Sequence, residues 1–353
     1  MTIDERIKVV LNDAVTAPSG DNSQPWWFHL EGQTLEVHMI PDKDNPILNF
    51  RLGGSYVALG ALIENIIILS SHAKLKTSLE LLPDSSSPYL ISRITFTDDQ
   101  NIVSDTLASF VTKRCTNRKP YHNKPLPNEI IEDIKNTEHE GEGDVRVITT
   151  TDKNIITSTA NASSMMERVA LETPAIHKLF FGNIVWSEEE ERVRGMGLPI
   201  KTTELPPPVQ LLFRLIKDWK KTQLLNRIGL SRMASKANAA TYAKTPLAGV
   251  ITVPVCNPKA YIEAGRTFER IWIKAAKHGV AFQPVTGILF LAQRVLANET
   301  RELRSEHLPL IKGAYDTIKE KFGLIDNIPV LYFRIGYADA PSAHTMRRVA
   351  EFR

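Results

Sequence analysis

The chain has 353 residues, 42% hydrophobic and 24% charged, with a net charge of +3. That length supports two domains or one intertwined double domain, with enough buried surface to need neither metal nor disulfide. The small charge, with no basic stripe interleaved with aromatics, excludes a nucleic-acid protein.

In chain order, residues 4–16 carry a weak helical pattern that runs into Ala17-Pro18-Ser19-Gly20-Asp21-Asn22-Ser23-Gln24-Pro25. Residues 26–30 and 34–40 read as strands joined across Glu31-Gly32-Gln33, because Leu35, Val37 and Met39 alternate with Glu36 and His38. Residues 53–73 form a helix that is apolar nearly all round and therefore central, and 90–97 alternate again as a strand. A helix over 103–113 precedes Arg114-Cys115-Thr116-Asn117-Arg118, and Leu126-Pro127-Asn128-Glu129 opens another. Residues 145–150 predict a strand, 155–172 a helix, and 247–255 a strongly β-prone strand. Between them, 184–232 is rich in charge and proline. A helix over 265–278 shows Phe268, Ile271, Trp272, Ala275 and Ala276 on one face. A helix over 308–321 and a strand over 328–337 follow, before a tail containing Arg347-Arg348. The helices at 53–73 and 265–278 occupy similar places in two halves, with His72 and His278 near their ends, which suggests a pseudo-repeat.

Residues 1–10 carry Asp4, Glu5, Arg6 and Lys8 and lack the apolar core of a signal peptide. The longest apolar run, 56–69, is interrupted by Glu64 and Asn65 and falls short of the ~20 residues of a membrane span. Cys115 and Cys256 stand far apart without CxxC or Cys/His spacing, which fits a reducing compartment. These features predict a cytoplasmic protein with neither membrane nor nucleic acid as partner.

Three segments can carry chemistry. The small and polar residues of 17–26 let backbone N–H groups approach a planar ligand, although they also suit an ordinary capped turn. Arg114, Thr116 and Arg118 can converge on a phosphate through forked guanidinium donors, or form a solvated basic turn. Gln283-Pro284-Val285-Thr286-Gly287 can offer N–H groups to a ligand edge, or simply connect a helix to a strand. The sequence contains no G-x-G-x-x-G, no G-x-x-x-x-G-K-[ST], no G-x-S-x-G and no H-E-x-x-H. Dinucleotide-fold, phosphate-loop, esterase-elbow and zinc-protease readings are therefore unsupported. The acidic run 188–191 reads as a solvated helix face.

Together the motifs resemble the nitroreductase family. An APS-x-N-x-QPW-like segment is similar to Ala17–Trp26, with one extra residue between Ser19 and Asn22. An R-[RH]-[ST]-x-R phosphate motif is matched by Arg114, Thr116 and Arg118, with Cys115 at the variable place. The segment 265–287 and the Arg347-Arg348 pair resemble further family features. In ordinary members the arginine motif precedes the APS segment, and each FMN lies between two subunits. Here the order is reversed, as in the tandem (Acg-like) branch. The resemblance therefore implies an α+β fold of two related halves, 1–100 and 101–353, forming an intramolecular pseudo-dimer with mainly antiparallel sheets.

It also implies one FMN per chain. The second half would supply Arg114, Cys115, Thr116, Arg118, Gln283, Pro284, Val285, Thr286, Arg347 and Arg348, and the first Pro18, Ser19 and Asn22. Residues 184–232 are expected as a lid over the flavin, or as a helical hairpin packed elsewhere. The implied activity is hydride transfer from NAD(P)H through FMN to a quinone or nitroaromatic type of acceptor, with no side chain named as catalytic. The alternatives are a flavin-storing or redox-sensing protein and a structural protein with a decayed site. A monomer is expected, since the two halves satisfy each other.

Overall fold

The computed structural model describes residues 1–137 and 144–353. Helix α1 (Ile3–Ala14) starts from a capping box in which Thr2 and Glu5 satisfy each other's backbone N–H. Strands β1 (Trp26–Glu31) and β2 (Thr34–Met39) form the expected hairpin, and Gly32 takes a φ of +57° in its turn. Helix α2 (Gly53–His72), β3 (Leu75–Leu81) and β4 (Leu90–Asp98) complete an antiparallel sheet of order β1-β2-β4-β3.

After α3 (Asn128–Lys135), strand β5 (Arg146–Thr150) begins the second sheet. A long helical excursion follows: α4 (Lys153–Ser163), α5 (Met165–Glu172), α6 (Pro174–Asn183), α7 (Glu188–Arg194), α8 (Pro207–Ile216), α9 (Trp219–Asn226) and α10 (Leu230–Tyr242). Two short parallel strands, β6 (Ile184–Val185) and β7 (Leu198–Pro199), flank α7. The chain returns through β8 (Leu247–Val253), α11 (Pro258–Lys277), β9 (Ala281–Pro284), α12 (Gly287–Leu296), α13 (Leu308–Lys321) and β10 (Ile328–Gly336).

The second sheet is antiparallel throughout, in the order β5-β8-β10-β9. It repeats the first sheet: two strands, a 20-residue helix, an edge strand, and a last strand that returns to the interior. The long helices match residue for residue, since α2 runs from 53 to 72 and α11 from 258 to 277, an offset of 205. Their crossing is reciprocal in that register. A Cβ on Gly60 would lie 2.0 Å from the Ile262 carbonyl oxygen, and one on Gly265 would lie 2.1 Å from that of Val57. Positions 57 and 60 thus meet positions 262 and 265 as the two sides of an isologous interface do. His72 and His278 sit one residue out of this register.

One apolar core runs through both halves, from Ile7 and Leu11 of α1 through Leu62, Ile63 and Ile66 of α2 to Ile271 and Trp272 of α11 and Phe333 of β10. Helix α2 is long and apolar enough to cross a membrane, yet it lies buried as the centre of this core. A second cluster covers the other face of the second sheet, where Val250 and Tyr332 meet α4, α12 and α13. A third, around Leu171, Phe181 and Ile216, holds α8 and α9 against α5 and α6.

Several elements differ from the sequence expectation. The helix expected over 103–113 is only a 3-10 turn, Ala108–Lys113, because Asp105 accepts the Leu107 N–H and so holds the preceding residues in a turn. The helix expected over 155–172 breaks at Ser164, whose hydroxyl bonds back to Asn161 O at 2.9 Å. Gln283 and Pro284, expected in the loop 283–287, instead end the edge strand β9 (Ala281–Pro284).

Candidate functional site

The loop at 17–26, the arginine motif at 114–118 and the C-terminal segment with Arg347-Arg348 come together, while 283–286 does not join them. The loop before β1 is the most constrained of them. Asp21, Asn22 and Gln24 take φ values of 46°, 57° and 50°, in the left-handed region that side chains avoid. Polar bonds from elsewhere in the chain hold this backbone. Gln24 N–H donates to Ser19 Oγ at 2.9 Å, and the Gln24 amide donates to Gly195 O at 2.9 Å. Gly197 N–H donates to Asp21 O at 3.0 Å, and Asn183 donates to the Asp21 carboxylate at 2.7 Å. From the C-terminal segment, Met346 O accepts from Asn22 Nδ2 at 3.0 Å and Arg348 N–H donates to Gln24 Oε1 at 2.8 Å. Pro18 lies beside these residues, half-buried.

The arginine motif faces this loop. Arg114 is buried, with Nε 2.9 Å from a Glu269 carboxylate oxygen and its plane 4.4 Å from the Trp272 ring centroid. It also donates to Thr16 O, at the entrance of the loop. Trp272 in turn donates to Cys115 O at 3.2 Å. Thr116 pairs with Phe282, and Asn117 N–H donates to Phe282 O at 2.9 Å, so the motif is fastened to β9. Arg118 donates to Thr202 O at 3.1 Å, and burial lowers its pKa while Tyr242 and Asp21 pull it back. The Cys115 thiol is pushed up by burial, against the pull of Arg114, Arg118 and Arg347.

Arg347 completes the cluster. Burial first, then the Arg114 charge, lowers its pKa to about 10. Two desolvated guanidiniums close enough to oppose each other form a site that favours an anion. Among the described residues, the buried Arg347 Nε has no hydrogen-bond partner, and neither do Asn22 Oδ1 and Ser23 Oγ. Arg348, by contrast, is occupied in structure, since its guanidinium donates to Arg194 O at 2.8 Å.

Gln283, Pro284, Val285 and Thr286 are placed differently from the rest. Gln283 Oε1 accepts from Arg334 at 2.7 Å, and Arg334 also donates to Lys119 O at 2.7 Å, which braces the chain beyond the motif. Pro284 has no N–H, and the Val285 N–H is taken by Tyr332 O at 2.8 Å. Thr286 precedes α12 without a side-chain cap.

Residues 184–232 divide into two parts. The portion from β6 to Thr203 lies on the site: Gly195, Gly197 and Thr202 contact the loop and Arg118, and Glu191 accepts from Met346 N–H at 2.8 Å. The acidic run is therefore not purely a solvated face. Helices α8 and α9 instead pack away from the site on α5 and α6, with His177 Nε2 2.8 Å from Ile216 O.

Glu269, Trp272, Asp21 and Gln24 belong to the site although the sequence reading did not single them out as site residues. Glu269 had a signal: an acid on the buried face of α11 between Phe268 and Trp272, where a charge needs a partner. Its counterpart in the 205-residue register is Glu64. That position is filled from within, since Arg266 Nε lies 2.9 Å and Arg270 Nη1 2.6 Å from the Glu64 carboxylate, and Arg270 also binds Asp105 at 2.7 Å. The Arg270 counterpart beside Glu269 is Asn65, which leaves that side open to Arg114. One seam therefore receives an arginine motif, while the other is closed by the ion pairs of α11 itself.

No family model matches the chain. An uncharacterized protein of Mycobacterium tuberculosis (strain CDC 1551 / Oshkosh), MT1398, is 22% identical over 362 residues, covering 97% of this chain and 47% of that protein. The chain thus spans about half the length of this relative. Similar solved structures include the FMN-dependent nitroreductase NfnB from Mycobacterium smegmatis in complex with NADPH, at 14% identity and a TM-score of 0.40, covering 69% of this chain and 92% of that one. Oxidized iodotyrosine deiodinase bound to FMN and 3-iodo-L-tyrosine is similar at 12% identity and a TM-score of 0.38, covering 70% and 98%. A nitroreductase with bound FMN from Desulfitobacterium hafniense DCB-2 is similar at 11% identity and a TM-score of 0.35, covering 70% and 95%.

Proposed function

We propose that the chain is a tandem nitroreductase-like flavoprotein that binds one FMN between its halves, 1–100 and 101–353, and passes hydride from NAD(P)H to a small oxidised acceptor of quinone or nitroaromatic type. The observation that carries the reading is that Arg114, which donates to Thr16 O just before the strained loop at 19–24, lies near Arg347, whose neighbours Met346 and Arg348 bond that loop directly. The residues fit such a group, because buried Arg347 Nε, Asn22 Oδ1 and Ser23 Oγ find no partner among the described residues. When bound, FMN would supply the hydride chemistry.

The chain's own part is binding and enclosure. Arg114 and Arg347 would hold the phosphate, with Thr116 beside them, and the loop that contains Ser19 and Asn22 would present polar groups to the ring edge. Glu269 keeps the Arg114 guanidinium in place, and Trp272 stacks against it. A second reading has its own observation: residues 195–203 rest on the loop and on Arg118. If they also cover the flavin, nicotinamide is excluded and the protein stores FMN or senses its redox state.

Anaerobic titration of the FMN-loaded protein with NADPH and then NADH separates the two. Rapid bleaching of the flavin's visible band is the result expected of the reductase. A bound flavin that stays oxidised refutes the reductase and leaves the covered-flavin reading.

A further inference from the structure

The helices α8 to α10 have a surface that the site does not use. Leu211, Leu224, Ile228 and Met233 are 70%, 62%, 78% and 69% exposed. Leu211 and Leu215 lie four residues apart on one face of α8, while Leu224 sits near the end of α9 and Ile228 in the turn that follows it. Seven Lys and Arg side chains lie between Arg214 and Lys236, against the single acid Asp218. That acid is occupied in capping α9, where it accepts from Lys220 N–H at 2.8 Å. Among the described residues, no carboxylate pairs with Lys220, Lys221, Arg227 or Arg232. The whole chain is only +3, so this segment is strongly basic and the remainder net acidic.

We propose that α8 to α10 form a docking surface for an anionic lipid bilayer, with the aliphatic tips entering the interfacial zone and the cations meeting lipid phosphates. This revises the sequence expectation of no membrane partner, and it stands independently of the flavin reading. A second copy of the chain is the poorer occupant, because two such surfaces would bring like charges together. A protein partner fits less well too: cores of protein interfaces are depleted of charge and built on aromatic anchors. Here unpaired cations alternate with isolated Leu, Ile and Met side chains, the composition of helices that lie on membranes.

Co-sedimentation of the full chain with phosphatidylcholine vesicles, with and without phosphatidylglycerol, tests this. Binding is expected only to the anionic vesicles and to weaken as salt is raised. The variant K220A/K221A should lose binding on the order of 25-fold, from a roughly fivefold contribution per cation. The variant L211S/I228S should lose on the order of tenfold. Both sites are exposed, so both variants should melt within a degree or two of the parent. Equal binding to the zwitterionic vesicles overturns the proposal, as does no binding to either. Concentration-dependent dimers that these substitutions abolish would also overturn it and assign the surface to a second copy.

Discussion

Replacing Gly265 by alanine is expected to destabilise the protein by roughly 3 kcal/mol or more, the opposite sign from the usual effect of this change inside a helix. The new Cβ would fall 2.1 Å from the Val57 carbonyl oxygen, which is backbone and cannot rotate away. Relief requires α2 and α11 to move apart, and that opens the core they share. Gly60→Ala should behave alike, since its Cβ would lie 2.0 Å from Ile262 O. Gly313→Ala on the exposed side of α13 is the control: none of the described residues lies within 4 Å of its Cβ, and a gain of up to about 1 kcal/mol is expected. Urea denaturation of the three variants measures this. A Gly265→Ala variant as stable as Gly313→Ala would refute the close crossing.

Arg114→Ala should cost about 3–5 kcal/mol at pH 8 and distinctly less at pH 5, because it strands Glu269 without its ion pair. Burial raises the Glu269 pKa to about 7, and Arg114 pulls it back. The folded protein therefore holds a proton there that the unfolded chain releases near the ordinary 4.5. Stability contributed by this group is present in full below pH 4.5 and is lost as the pH rises toward 7, by about 1.4 kcal/mol per unit. Glu269→Gln should abolish that slope. Removing Arg114 pushes the carboxyl higher still and extends the loss to higher pH. Denaturation curves at pH 5, 6.5 and 8 for the parent and both variants test the pair. A penalty for Arg114→Ala that is equal at pH 5 and pH 8 would mean that Glu269 is not its partner.

Much of the frame was legible because its signals are local. Alternation in 34–39 and apolarity around the whole of 53–72 identify β2 and α2. Other elements carried signals of a kind that is easily passed over. The first turns of α11 lie before its apolar stripe, yet Asn257 followed by Pro258 is a cap with proline at the first helical position. Strand β3 alternates Leu75, Leu79 and Leu81 with Lys76, Ser78 and Glu80, the same period that revealed β2. Strand β9 is four residues long and ends in proline, so pairing with β10 alone makes it a strand.

Of the site, the sequence showed the two segments that meet, because arginines around a threonine and a small-polar loop before a strand are unusual compositions. It could not show which partners they find. Arg114 and Glu269 are distant in sequence and meet only because the α2/α11 crossing carries Glu269 to the seam. Gln283 appeared available for a ligand, but Arg334 comes from β10 to occupy it, and no local pattern announces that bond. The Arg270–Glu64 pair that closes the second seam is likewise a product of tertiary placement.

A single FMN is proposed to lie at the seam of Arg114, Arg347 and the 19–24 loop. FMN titration by fluorescence quenching, on the full chain and on Arg347→Gln and Arg270→Gln, is the test. One FMN per chain is expected. Arg347→Gln should lose affinity on the order of 10- to 100-fold, the value of a charge-assisted bond to phosphate, and Arg270→Gln should change little. No FMN binding, two FMN per chain, or an Arg347→Gln variant that binds like the parent would contradict it.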